Sequence, residues 1–159
     1  MNSSTRFRIS GLPMDAFSGL FGLTDTELAT RNARRLVADA KPGFPCRVSL
    51  VDAEPGETVI LLPYAHHPVD GPYNSSGPIF VREKAKPAEL EIDQIPEVAK
   101  SRFMSVRAYD ADSWMLASGV AEGPDLEGLI RQFLSDRKVA YLHLHNAKPG
   151  CYSCRVDRA

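Results

Sequence analysis

From Cys46 onward the chain is a succession of short apolar runs, each closed by a Pro- or Gly-containing turn, and this punctuation most restricts its fold. Cys46–Val51, Thr58–Tyr64 and Pro78–Arg82 read as strands between such turns. Val59, Ile60, Leu61 and Leu62 form an unbroken apolar run, which fits a central strand covered on both faces. Arg102–Tyr109 and Ser113–Ala121 read as a hairpin turning at Asp110-Ala111-Asp112. Val139–His145 and Tyr152–Val156 complete the set, and Phe7 and Ile9 suggest a first strand.

Helical signals are fewer. Thr24-Asp25-Thr26-Glu27 is a capping box flanked by a Leu23/Leu28 staple, predicting a helix to about Ala33. Leu126, Leu129, Ile130, Phe133 and Leu134 recur at helical spacing behind Gly123-Pro124-Asp125, which is a start signal. Pro13 opens a short helical turn, and Lys84–Ile95 reads as a surface loop. The expected fold is α+β: a largely antiparallel sheet, able to curl, with two to three helices packed on it. At 159 residues the chain suits one domain spanning 1–159.

Composition narrows the function. Nineteen basic residues against 20 acidic give a net charge of -1, so nucleic acid is not expected as a partner. No apolar run reaches membrane-spanning length, so no membrane is expected. Three cysteines, with no secretory leader read at the N-terminus, point to reduced thiols and the cytoplasm. Nothing in the sequence fixes an oligomeric state.

The densest polar chemistry is His143-Leu144-His145-Asn146-Ala147-Lys148-Pro149-Gly150-Cys151-Tyr152-Ser153-Cys154. On a strand, His143 and His145 face the same way, about 7 Å apart at ~3.3 Å per residue. Together with Cys151 they are candidate metal ligands, and Zn²⁺ is the ion such a set would hold. The plainer account is a buried strand end whose histidines bond to backbone. The same residues are the catalytic candidates: Cys46 or Cys151 as nucleophile, His143 or His145 as base. Strand alternation separates Cys151 from Cys154, which leaves Cys154 structural, and no helix follows to support a redox Cys-x-x-Cys.

A second dense segment runs from Tyr73 to Arg82. Tyr73, Ser75 and Ser76 offer donors and Arg82 a planar fork, so these four are candidate ligand-binding residues for an anion. Against this, a Ser/Asn turn often satisfies its own backbone. His66-His67-Pro68 reads as an ordinary loop. Arg47, Arg82, Arg107 and Arg155 fall in expected strands and could line a polar pocket or form salt bridges. Ala40-Lys41-Pro42-Gly43 is echoed by Ala147-Lys148-Pro149-Gly150, which we read as a coincidence of Pro-Gly turns.

Three blocks, Pro42–Leu50, Pro72–Arg82 and His143–Tyr152, resemble a family of uncharacterised bacterial proteins built on a domain of unknown function. The resemblance implies a single-domain bacterial protein and no particular activity. The leading expectation is a small-molecule binding or enzymatic domain for an anionic ligand, with a pocket formed by the 73–82 loop and the 143–151 hairpin. The alternatives are a metal-binding protein using His143, His145 and a cysteine, and a non-enzymatic interaction module with an apolar patch around Trp114 and Met115.

Overall fold

The computed structural model describes residues 5–159. Among the described residues, eight strands divide between two antiparallel sheets, giving the α+β architecture. The larger sheet has the order β1-β8-β7-β5-β6, from β1 (Phe7–Ser10), β5 (Met104–Tyr109), β6 (Met115–Ala121), β7 (Tyr141–Asn146) and β8 (Tyr152–Arg158). The smaller sheet is β2 (Arg34–Val37), β3 (Thr58–His67) and β4 (Ser75–Arg82), with β3 in the centre. The central place of β3 follows from its unbroken apolar run, in which Val59 and Ile60 are fully buried.

Among the described residues three α-helices accompany the sheets: α1 (Asp25–Ala29), α2 (Glu97–Lys100) and α3 (Asp125–Leu134). The capping box starts α1: Glu27 N–H donates to Thr24 Oγ1 at 3.1 Å, and Thr24 N–H to Glu27 Oε1 at 3.0 Å. That helix stops after one turn, at Ala29 rather than Ala33, because Asn32 turns into the left-handed region (φ 57°) and β2 begins at Arg34. On α3, Leu126, Ile130 and Leu134 bury one stripe against the larger sheet. Val106, Ala108, Leu142, Leu144, Cys154 and Val156 meet that stripe.

Alternation then dictates the opposite face. If Leu142 and Leu144 point to α3, then Tyr141, His143 and His145 point away from it. Strand register sets Arg107 and Arg155 on either side of His143. The main core is therefore apolar on one side of the sheet, and the other side carries imidazoles, phenols and guanidinium groups.

Cys46–Val51 is a tight loop instead of the expected strand. Leu50 N–H donates to Cys46 O and Cys46 N–H to Val51 O, both at 3.0 Å, and Leu50 has φ 57°. Only isolated bridges remain, Pro45 to Asp52 and Cys46 to Phe80. The loop is held from outside. Gly11 passes so close that a Cβ there would lie 2.5 Å from Val48 O and 2.8 Å from Arg47 O. This curl turns Arg47 into the protein. No helix among the described residues is long and apolar enough to cross a membrane.

Candidate functional site

The curled loop buries Arg47 almost completely, leaving 2% of it exposed. A guanidinium stays charged in a protein, and burying its charge is costly unless an anion accompanies it. Among the described residues, Arg47 has no carboxylate partner. Its Nε donates to Tyr152 O at 2.7 Å and its Nη1 to Pro45 O at 2.6 Å. Its Nη2 donates to the Cys151 sulfur at 3.0 Å. Burial lowers the proton affinity of Arg47, and the neighbouring Cys151 and Cys46 sulfurs raise it.

Cys151 is half-buried, at the end of the turn between β7 and β8. Asn146 Nδ2 gives its sulfur a second hydrogen bond, at 3.4 Å. Asn146 is 4% exposed, and its Oδ1 has no partner. Gly150, with φ 84°, tightens the turn: Gly150 N–H donates to Asn146 O, and Asn146 N–H to Cys151 O, both at 2.8 Å.

These groups border a cavity of about 870 Å³. Its apolar walls come from Leu61 on β3, Pro78 and Phe80 on β4, and Phe103. Arg47, Arg102 and Lys148 bring positive charge to it, and Glu122 one negative charge. Arg102 is braced by Asp52, which accepts from Nη2 at 2.6 Å and Nη1 at 3.0 Å. The two echoing turns both reach this cavity, through Gly43 and through Ala147, Lys148 and Pro149. So Pro78 and Phe80 of the 73–82 segment meet the 146–151 turn across one space, and the positive charge comes from Lys148 of that turn and from Arg47 and Arg102 outside both segments.

Other candidates from the sequence lie elsewhere. Arg82 is engaged by Glu57, through Nε at 2.8 Å and Nη2 at 3.0 Å, and by Ser49 at 3.2 Å. Those contacts hold the Glu57 carboxyl below its usual range, against the burial that would raise it. Tyr73 packs edge-on against Tyr109 and Trp114, and Ser75 and Ser76 open β4. Trp114 is 53% exposed and Met115 half-buried. Cys46 and Cys154 are fully buried in different core clusters, and burial pushes the Cys154 thiol up to about 12.

His143 and His145 are buried on the opposite side of β7 from Asn146's partner sulfur, so Cys151 meets Arg47 and Asn146 instead of an imidazole. His145 Nδ1–H donates to Gly150 O at 3.0 Å. Burial, then the neighbouring His67, holds the His143 pKa down at about 2. Burial likewise lowers His145 to about 4, against the Gly150 bond that raises it. His66 and His67 are not loop residues: they end β3, and His67 is buried. Among the described residues, no three His, Cys, Asp or Glu side chains are grouped to hold a metal ion.

Fold and site define a two-sheet α+β protein with a cysteine- and arginine-bearing cleft bordered by both sheets. Residues 43–158 match the family described as "Protein of unknown function (DUF1203)", and the chain belongs to that family. The matched span includes every residue that lines the cleft. No curated protein and no solved structure matches the chain.

Proposed function

We propose that this protein binds a small anionic molecule with an apolar body in the 870 Å³ cleft, with Cys151 as the reactive group beside it. The observation that carries the reading is the buried Arg47, whose only side-chain partner among the described residues is the Cys151 sulfur. Arg47 thus sets a positive charge directly on the one sulfur that borders the cleft, where an incoming anion would meet it. Arg102 and Lys148 extend the positive field to the cleft, and its aromatic and proline walls suit an apolar body. The unpartnered Asn146 Oδ1 leaves an acceptor free for a donor on the ligand. Three free thiols, one of them at a cleft, support a reducing cytoplasm as its compartment.

Charge-matched alkylation tests this. Iodoacetate is an anion and iodoacetamide its neutral counterpart; in both, sulfur attacks the methylene carbon and iodide leaves. Cys46 and Cys154 are fully buried, so one adduct is expected, on Cys151. Relative to a free thiol such as 2-mercaptoethanol, Cys151 should favour iodoacetate over iodoacetamide, and added salt should shrink the preference. Lys148→Ala should slow iodoacetate alone. An iodoacetate-to-iodoacetamide rate ratio at low salt no higher than that of the free thiol would overturn the proposal, because a positive field at the sulfur raises that ratio.

A further inference from the structure

All four histidines of the chain gather on the face of the larger sheet turned away from α3. His143 and His145 arrive there by strand alternation. His66 and His67 are adjacent on β3 and would ordinarily face opposite ways. The register of β3 with β4 shifts between Tyr64 and His67, and this irregularity brings both rings to the same patch. Ring centroids lie 5.1 Å apart for His66 and His145, 6.3 Å for His66 and His143, and 4.9 Å for His67 and His143.

His67 is satisfied: Nδ1–H donates to Tyr73 O at 2.8 Å, and Nε2 accepts from the Tyr141 hydroxyl at 2.6 Å. The other three rings each keep one buried nitrogen without a partner: His66 Nδ1, His143 Nδ1 and His145 Nε2. His143 and His145 are themselves 3% and 2% exposed. Buried polar atoms in proteins are nearly always paired, so three orphans in one cluster point to a missing partner.

Charge decides what that partner is. Arg107 on β5 lies directly opposite His143 in the strand pairing, and Ser105 opposite His145. The Arg107 guanidinium makes a long 3.4 Å bond to Ser105 Oγ, lies against the Tyr109 hydroxyl, where it opposes the rise that burial gives the phenol, and forms no ion pair among the described residues. Arg155 flanks His143 on the other side, paired with Asp157. Burial keeps the imidazoles neutral, and the guanidinium groups depress their proton affinity further. A divalent metal placed among these rings would be repelled by Arg107. An oxyanion would be attracted: neutral His66 and His143 can turn an N–H toward it, while His145, whose Nδ1–H goes to Gly150 O, offers its Nε2 lone pair to a hydroxyl of a protonated oxyanion such as monohydrogen phosphate.

We infer that Arg107, with His66, His143 and His145 around it, forms a second ligand site that takes an oxyanion of the phosphate class. The donors come from three strands, β3, β5 and β7, so they surround a tetrahedral group where a single fork would grip a planar one. Past Tyr109 the patch continues to Tyr73 and the exposed Trp114, an aromatic shelf for the organic part of such a ligand.

The test is a titration of the full chain with inorganic phosphate, read on the imidazole NMR signals, with Cys151 alkylation measured in parallel. Saturable shifts of His66, His143 and His145 are expected, with His67 moving least because both its nitrogens are bonded. Arg107→Gln should weaken binding about tenfold or more, the effect of losing a charge-assisted hydrogen bond. Arg107→Lys should keep most of it, and both variants should alkylate at Cys151 at the wild-type rate. The inference is overturned by any of three results: no saturable histidine shift at millimolar phosphate; unchanged affinity in folded Arg107→Gln; or protection of Cys151 by phosphate without histidine shifts, which would move the anion to the cleft. Stoichiometric Zn²⁺ shifting the three rings in phosphate-free buffer would also overturn it, and make the cluster a metal site.

Discussion

Replacing the His143 imidazole by an isobutyl group, His143→Leu, keeps most of the buried volume and removes one titrating group. In the unfolded chain each histidine takes up a proton near pH 6.5. In the folded protein His143 stays neutral down to about 2 and His145 to about 4. The folded-state affinities are depressed, so the unfolded chain binds protons first as the pH falls. The stability tied to these two rings is complete above about pH 6.5 and lost progressively below it. At about pH 4.5, two units lower, each ring that is still neutral costs about 2.7 kcal/mol relative to pH 7, at 1.36 kcal/mol per unit. Together they remove about 5 kcal/mol, comparable to the whole stability of a small domain at about 5–15 kcal/mol. His143→Leu should therefore lose about 2.7 kcal/mol less than wild type between those pH values. Urea unfolding at both pH values, followed by fluorescence of the single Trp114, measures the difference. Carboxylate titrations cancel in the comparison. Equal losses in the two proteins would show that His143 is not a buried neutral base.

Two further substitutions probe the cleft. Cys151→Ala leaves Arg47 Nη2 with no acceptor and should cost about 1–3 kcal/mol in urea unfolding, the penalty for a buried donor left unpaired. Cys151→Ser returns an oxygen acceptor and should recover most of that loss; equal stability of the two variants would refute the role given to the sulfur. Gly11→Ala should destabilise by about 1–3 kcal/mol, because the new methyl meets the backbone oxygens of Val48 and Arg47. It should also slow alkylation of Cys151 by displacing Arg47, and an unchanged melting temperature would show that the loop yields freely.

What was legible in the sequence was what local periodicity encodes. The apolar stripe of α3, the capping box of α1 and the alternation along β7 each depend on residues within a turn or two of one another, and each forms as read. Alternation also separates Cys154, which joins the core, from Cys151, which stays half-exposed. Cys46–Val51 shows the limit. Cys-Arg-Val-Ser-Leu-Val has the composition of a strand, yet the segment curls because Arg47 is tied to Tyr152 O, and because Gly11 packs against its backbone. Both determinants lie far away in sequence. The bulge that redirects His66 and His67 is equally invisible, since it arises from how β3 pairs with β4. The four strand arginines were noticeable as a group, but nothing local distinguishes Arg82, which meets Glu57, from Arg47, which meets only carbonyls and a sulfur.

One hairpin connects the two sites. Alternation along β7 sends His143 and His145 to one side of the sheet, while Asn146 and the Cys151 beyond the turn serve the cleft. Gly150 belongs to both: its carbonyl accepts from His145, and its amide closes the turn that delivers Cys151 to Arg47. With φ at 84°, it occupies a conformation that favours glycine. The β7–β8 turn thus fixes the tautomer of His145, with the proton on Nδ1 and the lone pair on the orphaned Nε2, through the same residue that positions the sulfur. A ligand that draws on Nε2 strengthens the Nδ1–H bond to Gly150, because donating and accepting polarise the same ring. Tyr152 supplies a second link between the two sites, its carbonyl accepting from Arg47 and its ring stacked on His66 and edge-on to His143 and His145.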